Sequence, residues 1–228
     1  MFYAVLRFLA RPLCYILFWP IRRGVENVPA AGPGIFAMNH LGTGESFLLM
    51  VLVRPQITYP AKKELFSRAT WLHRLGAWIL TNLHQVPLDR AGGSTSADAL
   101  GSVYDVLAAG GFVGIFPEGH RSPDGRLYKG RTGVARLALT SGAPVIPVGC
   151  FRTRFTRGWL PFPWLYRPEL RFGAPLHFPE ATRQAYLTAP TREAAGEVLR
   201  ETTDAVMAAV AAITGQEMVD EYSYRAGR

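Results

Sequence analysis

At 228 residues, with 49% apolar and 18% charged side chains, the chain has enough apolar material for one sizeable core, which excludes a disordered or low-complexity polypeptide. Its 25 Lys and Arg against 17 Asp and Glu leave a net charge of +8, so a negatively charged partner is expected: an anionic membrane, nucleic acid or a phosphorylated small molecule. The two cysteines, Cys14 and Cys150, are too few and too far apart for a disulfide framework or a metal-binding spacing.

The first twenty residues, MFYAVLRFLARPLCYILFWP, are apolar and aromatic but interrupted by Arg7 and Arg11. The longest uncharged run, 12–21, falls short of the roughly 20 apolar residues a membrane span needs. Arg7 and Arg11 share a helical face, and Arg22 and Arg23 follow. This pattern suits an amphipathic helix, broken at Pro12, that lies in a membrane interface. A helix buried in a soluble core and a signal peptide compete with it; Val28-Pro29-Ala30 makes a poor cleavage site for the latter. The chain thus divides into a membrane-interface segment, 1–20, and one further domain, 21–228, with no repeat or linker inside it.

Beyond residue 20, short apolar runs alternate with helical stretches. Strands are expected at 34–38 (GIFAM), 57–60, 85–88, 112–116 (FVGIF), 145–150 and 169–172. Helices are expected at 43–53 with Thr43 as N-cap, at 62–80 in two pieces, and at 94–109, 132–141 and 191–213. Residues 152–168, rich in Arg, Trp and Pro, have the composition of a long surface loop, and 222–228 that of a frayed end. The alternation predicts an α/β fold with a mostly parallel central sheet flanked by helices.

In such folds the site gathers in the loops at the carboxyl ends of the strands. GIFAM is followed by Asn39 and His40, the second strand by Lys62 and Lys63, the third by Asp89 and Arg90, and FVGIF by PEGHRS at 117–122. Gly42 and Gly44 permit a tight loop that brings Glu45 near His40. A carboxylate accepting from Nδ1–H fixes the imidazole tautomer and leaves Nε2 to take a proton. A structural histidine beside an ordinary first-turn acid is the competing reading. No GxSxG elbow is present, so a base here would activate a substrate hydroxyl rather than a protein serine. Lys62, Lys63, Arg90 and Arg121 suit anionic groups, and Lys129 and Arg131 bracket Gly130 as another potential anion site. There is no P-loop, GxGxxG or zinc motif, and no nucleic-acid-binding pattern, so nucleic acid ranks below lipid or nucleotide-ester substrates.

Four ordered blocks resemble the glycerolipid acyltransferases: NHLGTGE at 39–45, VPLDR at 86–90, FPEGHRS at 116–122 and VIPVG at 145–149. The segments GVENVP, AKKELF and KGRTGVARLAL also resemble family sequence, so the likeness runs from about residue 22 to 149. It is nearest to the 1-acylglycerol-3-phosphate acyltransferases, which make phosphatidic acid. The resemblance implies that His40 deprotonates the free hydroxyl of a lysophospholipid, which then attacks the thioester of acyl-CoA or acyl carrier protein. Glu45 would orient His40, and no metal, no covalent acyl-enzyme and no cofactor beyond the acyl thioester co-substrate would be involved. Arg90 and Arg121 would bind the acceptor phosphate, while Glu118 and Gly119 would shape the acceptor site, with Asn39, Lys62 and His120 as further binding residues. Two positions depart from the family pattern: Glu45 replaces an aspartate, and His120 replaces a threonine. The second leaves another lysophospholipid or a glycolipid open as acceptor. A non-catalytic lipid-binding protein is a distant alternative. The expected location is peripheral or monotopic, on the cytoplasmic face of the cell membrane, against anionic lipid.

Overall fold

A computed structural model describes residues 2–42, 44–67, 69–88, 100–153 and 167–223. Its centre is a six-stranded sheet made of β1 (Ile21–Arg23), β2 (Gly34–Met38), β3 (Ile57–Thr58), β6 (Phe112–Ile115), β8 (Val145–Phe151) and β9 (Glu169–Phe172). The strands lie in the order β1-β9-β8-β2-β6-β3. β2 pairs in parallel with both β6 and β8, and β3 with β6. β9 runs antiparallel to β8, and β1 runs parallel to β9. This is the α/β architecture that the alternating pattern predicts.

All five residues of β2 are buried because helices cover both faces of the sheet. On one face Phe36, Met38, Ile146, Val148 and Leu170 pack with Cys14 of α1 (Phe2–Phe18) and with Leu48, Leu49 and Leu52 of α2 (Gly44–Leu52). On the other, Ile35, Ala37, Val113 and Val145 meet α4 (Gly101–Ala108), α5 (Gly133–Ser141) and α7 (Arg192–Thr214) through Val103, Leu107, Val134, Leu137 and Val206. α3 (Trp71–Asn82) and α6 (Glu180–Leu187) complete the helices.

Several expectations change. The residues at 57–62 split into β3 and β4 (Pro60–Lys62); β4 pairs with β5 (Val86–Leu88) in a separate two-stranded ladder, so Lys62 does not end a strand of the main sheet. A second small ladder joins β7 (Leu127–Tyr128) to β10 (Met218–Val219). α1 continues through Pro12 rather than breaking there. An interior proline costs a helix roughly 3 kcal/mol, and tertiary contacts hold this one: the Tyr3 hydroxyl donates to the Met50 carbonyl at 3.2 Å, and Cys14 is 2% exposed. Arg7 is also spent inside the fold. It donates to the carbonyls of Val53 and Arg54 just past α2, where a cation complements the helix dipole. Tyr222 and Ser223, expected in a frayed end, are instead packed, with Ser223 buried. Thr43, residues 89–99, most of the expected loop (154–166) and 224–228 lie outside the described residues.

Candidate active site

β2 ends at Met38, so Asn39 and His40 emerge at the carboxyl end of a central strand, and α2 starts at Gly44. The loop between them is pinned by Glu45. Its Oε1 accepts from the backbone N–H groups of Leu41 at 3.0 Å and Gly42 at 2.6 Å, and from the Thr153 hydroxyl at 2.6 Å. Its Oε2 faces His40 Nδ1 at 3.6 Å, just beyond hydrogen-bond range. Neither of these two buried atoms has another hydrogen-bond partner among the described residues. A small closure between them would satisfy both atoms at once. Burial pushes the Glu45 carboxyl up, but His40, Thr153 and its own backbone N–H hold it, on balance, below its ordinary value. Its place in the first turn of α2 also favours the anion. The extra methylene of glutamate lets the carboxylate fold back over the loop and still reach the imidazole.

The PEGHRS loop holds the other side of His40. The His40 N–H donates to Glu118 Oε1 at 2.9 Å, and the His40 carbonyl accepts from the Ser122 N–H at 2.7 Å. The imidazole stacks on Phe116, with ring centroids 3.9 Å apart and planes 20° from parallel. Glu118 Oε2 accepts from the Tyr128 N–H at 3.0 Å. Glu118 is fully buried, and desolvation raises its carboxyl to about 7 despite the two backbone donors. Its carboxyl oxygens are thus engaged by backbone, one of them by the N–H of His40.

Asn39, expected at the substrate, is 1% exposed and clasps β8 instead. Its Nδ2 donates to the Cys150 carbonyl at 3.1 Å, and its Oδ1 accepts from the Cys150 N–H at 2.7 Å. The second Nδ2 hydrogen goes to Gln216 Oε1 at 2.8 Å. Gly119 takes φ +76°, where a side chain is strained, and a Cβ there would lie 2.8 Å from Arg131 Nε, so it would also have to displace that side chain. That places the Arg131 guanidinium against the PEGHRS loop. His120 is half-buried and Arg121 exposed on the same loop. Arg90 and the side chain of Lys62 lie outside the described part. The structure therefore gathers Asn39, His40, Glu45 and the 118–121 stretch.

Thr153, Ser122, Tyr128 and Gln216 went unforeseen. Thr153 stands two residues past β8, as His40 stands two past β2, and that position is its signal in the sequence. Gln216 carries no local signal, for it is 177 residues from Asn39.

A family model described as Acyltransferase matches residues 21–151. A 1-acyl-sn-glycerol-3-phosphate acyltransferase of Pseudomonas aeruginosa is 30% identical over 174 residues, covering 71% of this chain and 65% of that protein. A chloroplastic 1-acyl-sn-glycerol-3-phosphate acyltransferase of Arabidopsis thaliana is 27% identical over 146 residues, covering 62% of this chain and 39% of its own length. The chain thus spans less than two thirds of the length of either curated relative. The crystal structure of the 1-acyl-sn-glycerophosphate acyltransferase PlsC from Thermotoga maritima superposes with a TM-score of 0.59 at 21% identity, covering 92% of this chain and 79% of that one, a likeness of fold. The family match takes in His40, Glu45 and the loop that holds them, and by it the chain belongs to the acyltransferase family.

Proposed function

We propose that this protein transfers an acyl chain from a thioester donor, acyl-CoA or acyl carrier protein, to the free hydroxyl of a 1-acylglycerol 3-phosphate, giving phosphatidic acid. The observation that carries this reading is His40 Nδ1 facing the buried Glu45 carboxylate at a strand's carboxyl end. Nε2 of His40 takes the hydroxyl proton as the oxygen attacks the thioester carbonyl. The C–S bond then breaks, and the imidazolium returns the proton to the departing thiolate. Base catalysis of this kind contributes roughly 10²–10⁴ in rate. The names of the relatives support the acceptor, and Arg121, with Arg90 and Arg131, supplies cations for its phosphate. His120, in place of the family's threonine, favours a second reading in which a different lysophospholipid head group is used.

Membrane attachment belongs to the same reading. No helix among the described residues is long and apolar enough to cross a membrane. α1 nevertheless exposes Phe8, Leu9, Leu13 and Ile16, and α3 exposes Trp71, Leu75 and Trp78. Phe2 and Trp78 join the two helices edge to face at 5.1 Å. A surface of this kind, on a chain of net charge +8, suits peripheral docking on anionic lipid at the cytoplasmic face of the cell membrane.

The test is thiol release by purified protein in detergent, given oleoyl-CoA and monoacylglycerol phosphate, beside His40→Ala. Acceptor-dependent release that His40→Ala abolishes is expected. Release only with another lysolipid moves the acceptor; no release from acyl-CoA or acyl carrier protein with any acceptor overturns the reading.

A further inference from the structure

α7 ends at Gly215, whose φ of +66° turns the chain back across the site. The residues that follow lie beyond the stretch the family model matches, yet they bond to Asn39 and along the 121–129 stretch. Gln216 Oε1 accepts from Asn39 Nδ2 at 2.8 Å, and Gln216 Nε2 donates to the Gly125 carbonyl. β10 pairs with β7, the Glu217 carbonyl accepts from the Leu127 N–H at 2.9 Å, and the Glu221 carbonyl accepts from the Lys129 N–H at 2.9 Å. The Tyr222 ring lies 5.3 Å from the Arg131 guanidinium carbon, and the Ser223 hydroxyl donates to the Arg121 carbonyl at 3.2 Å.

Two routes lead from this segment to His40. One runs through β7, whose Tyr128 N–H is held by Glu118, the same carboxylate that accepts from the His40 N–H. The other is shorter: Gln216 bonds Asn39, the residue next to the base. An amide this deeply buried needs a partner for each of its hydrogens, and Gln216 takes the second. An ordinary packing role for the segment accounts for the backbone ladder. It does not account for a side-chain amide aimed at Asn39, which ties the start of the His40 loop to β8.

We propose that Gln216 is a positioning residue for acyl transfer: by fixing Asn39 it holds the backbone that carries His40. The inference rests on the acyltransfer reading for its kinetic effect but not for its structural one, and the test separates the two. Gln216→Leu keeps most of the side-chain volume and removes both hydrogen bonds. Because displacement of a catalytic group by about 1 Å can lower rates up to about 10²-fold, kcat is expected to fall about 10- to 100-fold, with both KM values within about twofold of wild type. Leu199→Ala, in the cluster between α5 and α7, is the control; it lowers the melting temperature and leaves kcat unchanged. If the leucine variant does not fold, Gln216→Met, which likewise fills the site without an amide, is read in the same way. In parallel, the imidazole nitrogen resonances of His40 are followed in ¹⁵N-histidine-labelled protein, picked out of the five histidines by His40→Ala. Gln216→Leu is expected to move them and Leu199→Ala is not. Wild-type kcat in the folded glutamine variant, a change confined to KM, or unmoved His40 resonances overturns the proposal. An inactive wild type whose His40 resonances still respond overturns the acyltransfer reading and leaves the positioning role standing.

Discussion

Glu118 and Glu45 are both fully buried, and their surroundings move them in opposite directions. Burial dominates at Glu118 and raises its carboxyl from 4.5 to about 7. The folded state then binds its proton more tightly than the unfolded chain between those values, so this group makes stability fall as pH rises from 4.5 to 7. At Glu45 the hydrogen bonds outweigh burial and the carboxyl is lowered; its stabilisation is present above its unfolded value of 4.5 and is lost as pH falls through the folded one. The two effects occupy separate windows. Glu118→Gln removes only the first, although it also presents an amide N–H to a backbone donor. Melting temperatures measured across pH 4.5 to 7 should decline in the wild type and flatten in the glutamine variant; identical slopes would show that Glu118 is not the titrating group.

At the scale of elements, a row of rings ties the sheet to the base. Tyr59, just after β3, lies parallel to Phe116 at 6.2 Å, and Phe116 stacks on His40. Gly114 in β6 makes room for the first ring: a Cβ there would come within 2.2 Å of Tyr59 Cε1, and that ring is fixed within the core. Gly114→Ala should destabilise the fold by about 1–3 kcal/mol or more through overpacking and lower activity by shifting Tyr59 and Phe116. Denaturant titration and thiol release check it; an alanine variant as stable and active as wild type removes the row from the account. The strands and helices that bear apolar runs, such as GIFAM, FVGIF and 145–150, were legible in the sequence because burial on both faces demands such runs. β1 (IRR) was not, since a half-buried edge strand needs no apolar pattern. Nor was α6, which buries no residue fully. The pairing of His40 with Glu45 was legible because residue type and loop length constrain it. The duties of Asn39 and Glu118 were not, because their partners are backbone groups, which any residue supplies.

For the molecule as a whole, the apolar faces of α1 and α3 form the proposed contact with lipid. Deleting 1–20 would be a poor test of that contact, because Tyr3, Arg7 and Cys14 belong to the fold itself. Phe8→Asp with Ile16→Asp alters only the outer face, where these side chains are 78% and 73% exposed. Burying each is worth roughly 1.5–3 kcal/mol, so the double variant should stay folded and lose most of its co-sedimentation with anionic vesicles. Full co-sedimentation of that variant would move the contact elsewhere on the surface.

The parallel pairing of β10 with β7 also bears on the order of assembly. A parallel ladder cannot be closed by a tight turn; it needs the whole intervening chain, here α5, β8, β9, α6 and α7, to be laid down between its two strands. Contacts of such long sequence separation are slow to form. The β10–β7 ladder, and with it the support that Gln216 gives Asn39, is therefore expected to form later than the central sheet, which pulsed hydrogen exchange during refolding checks.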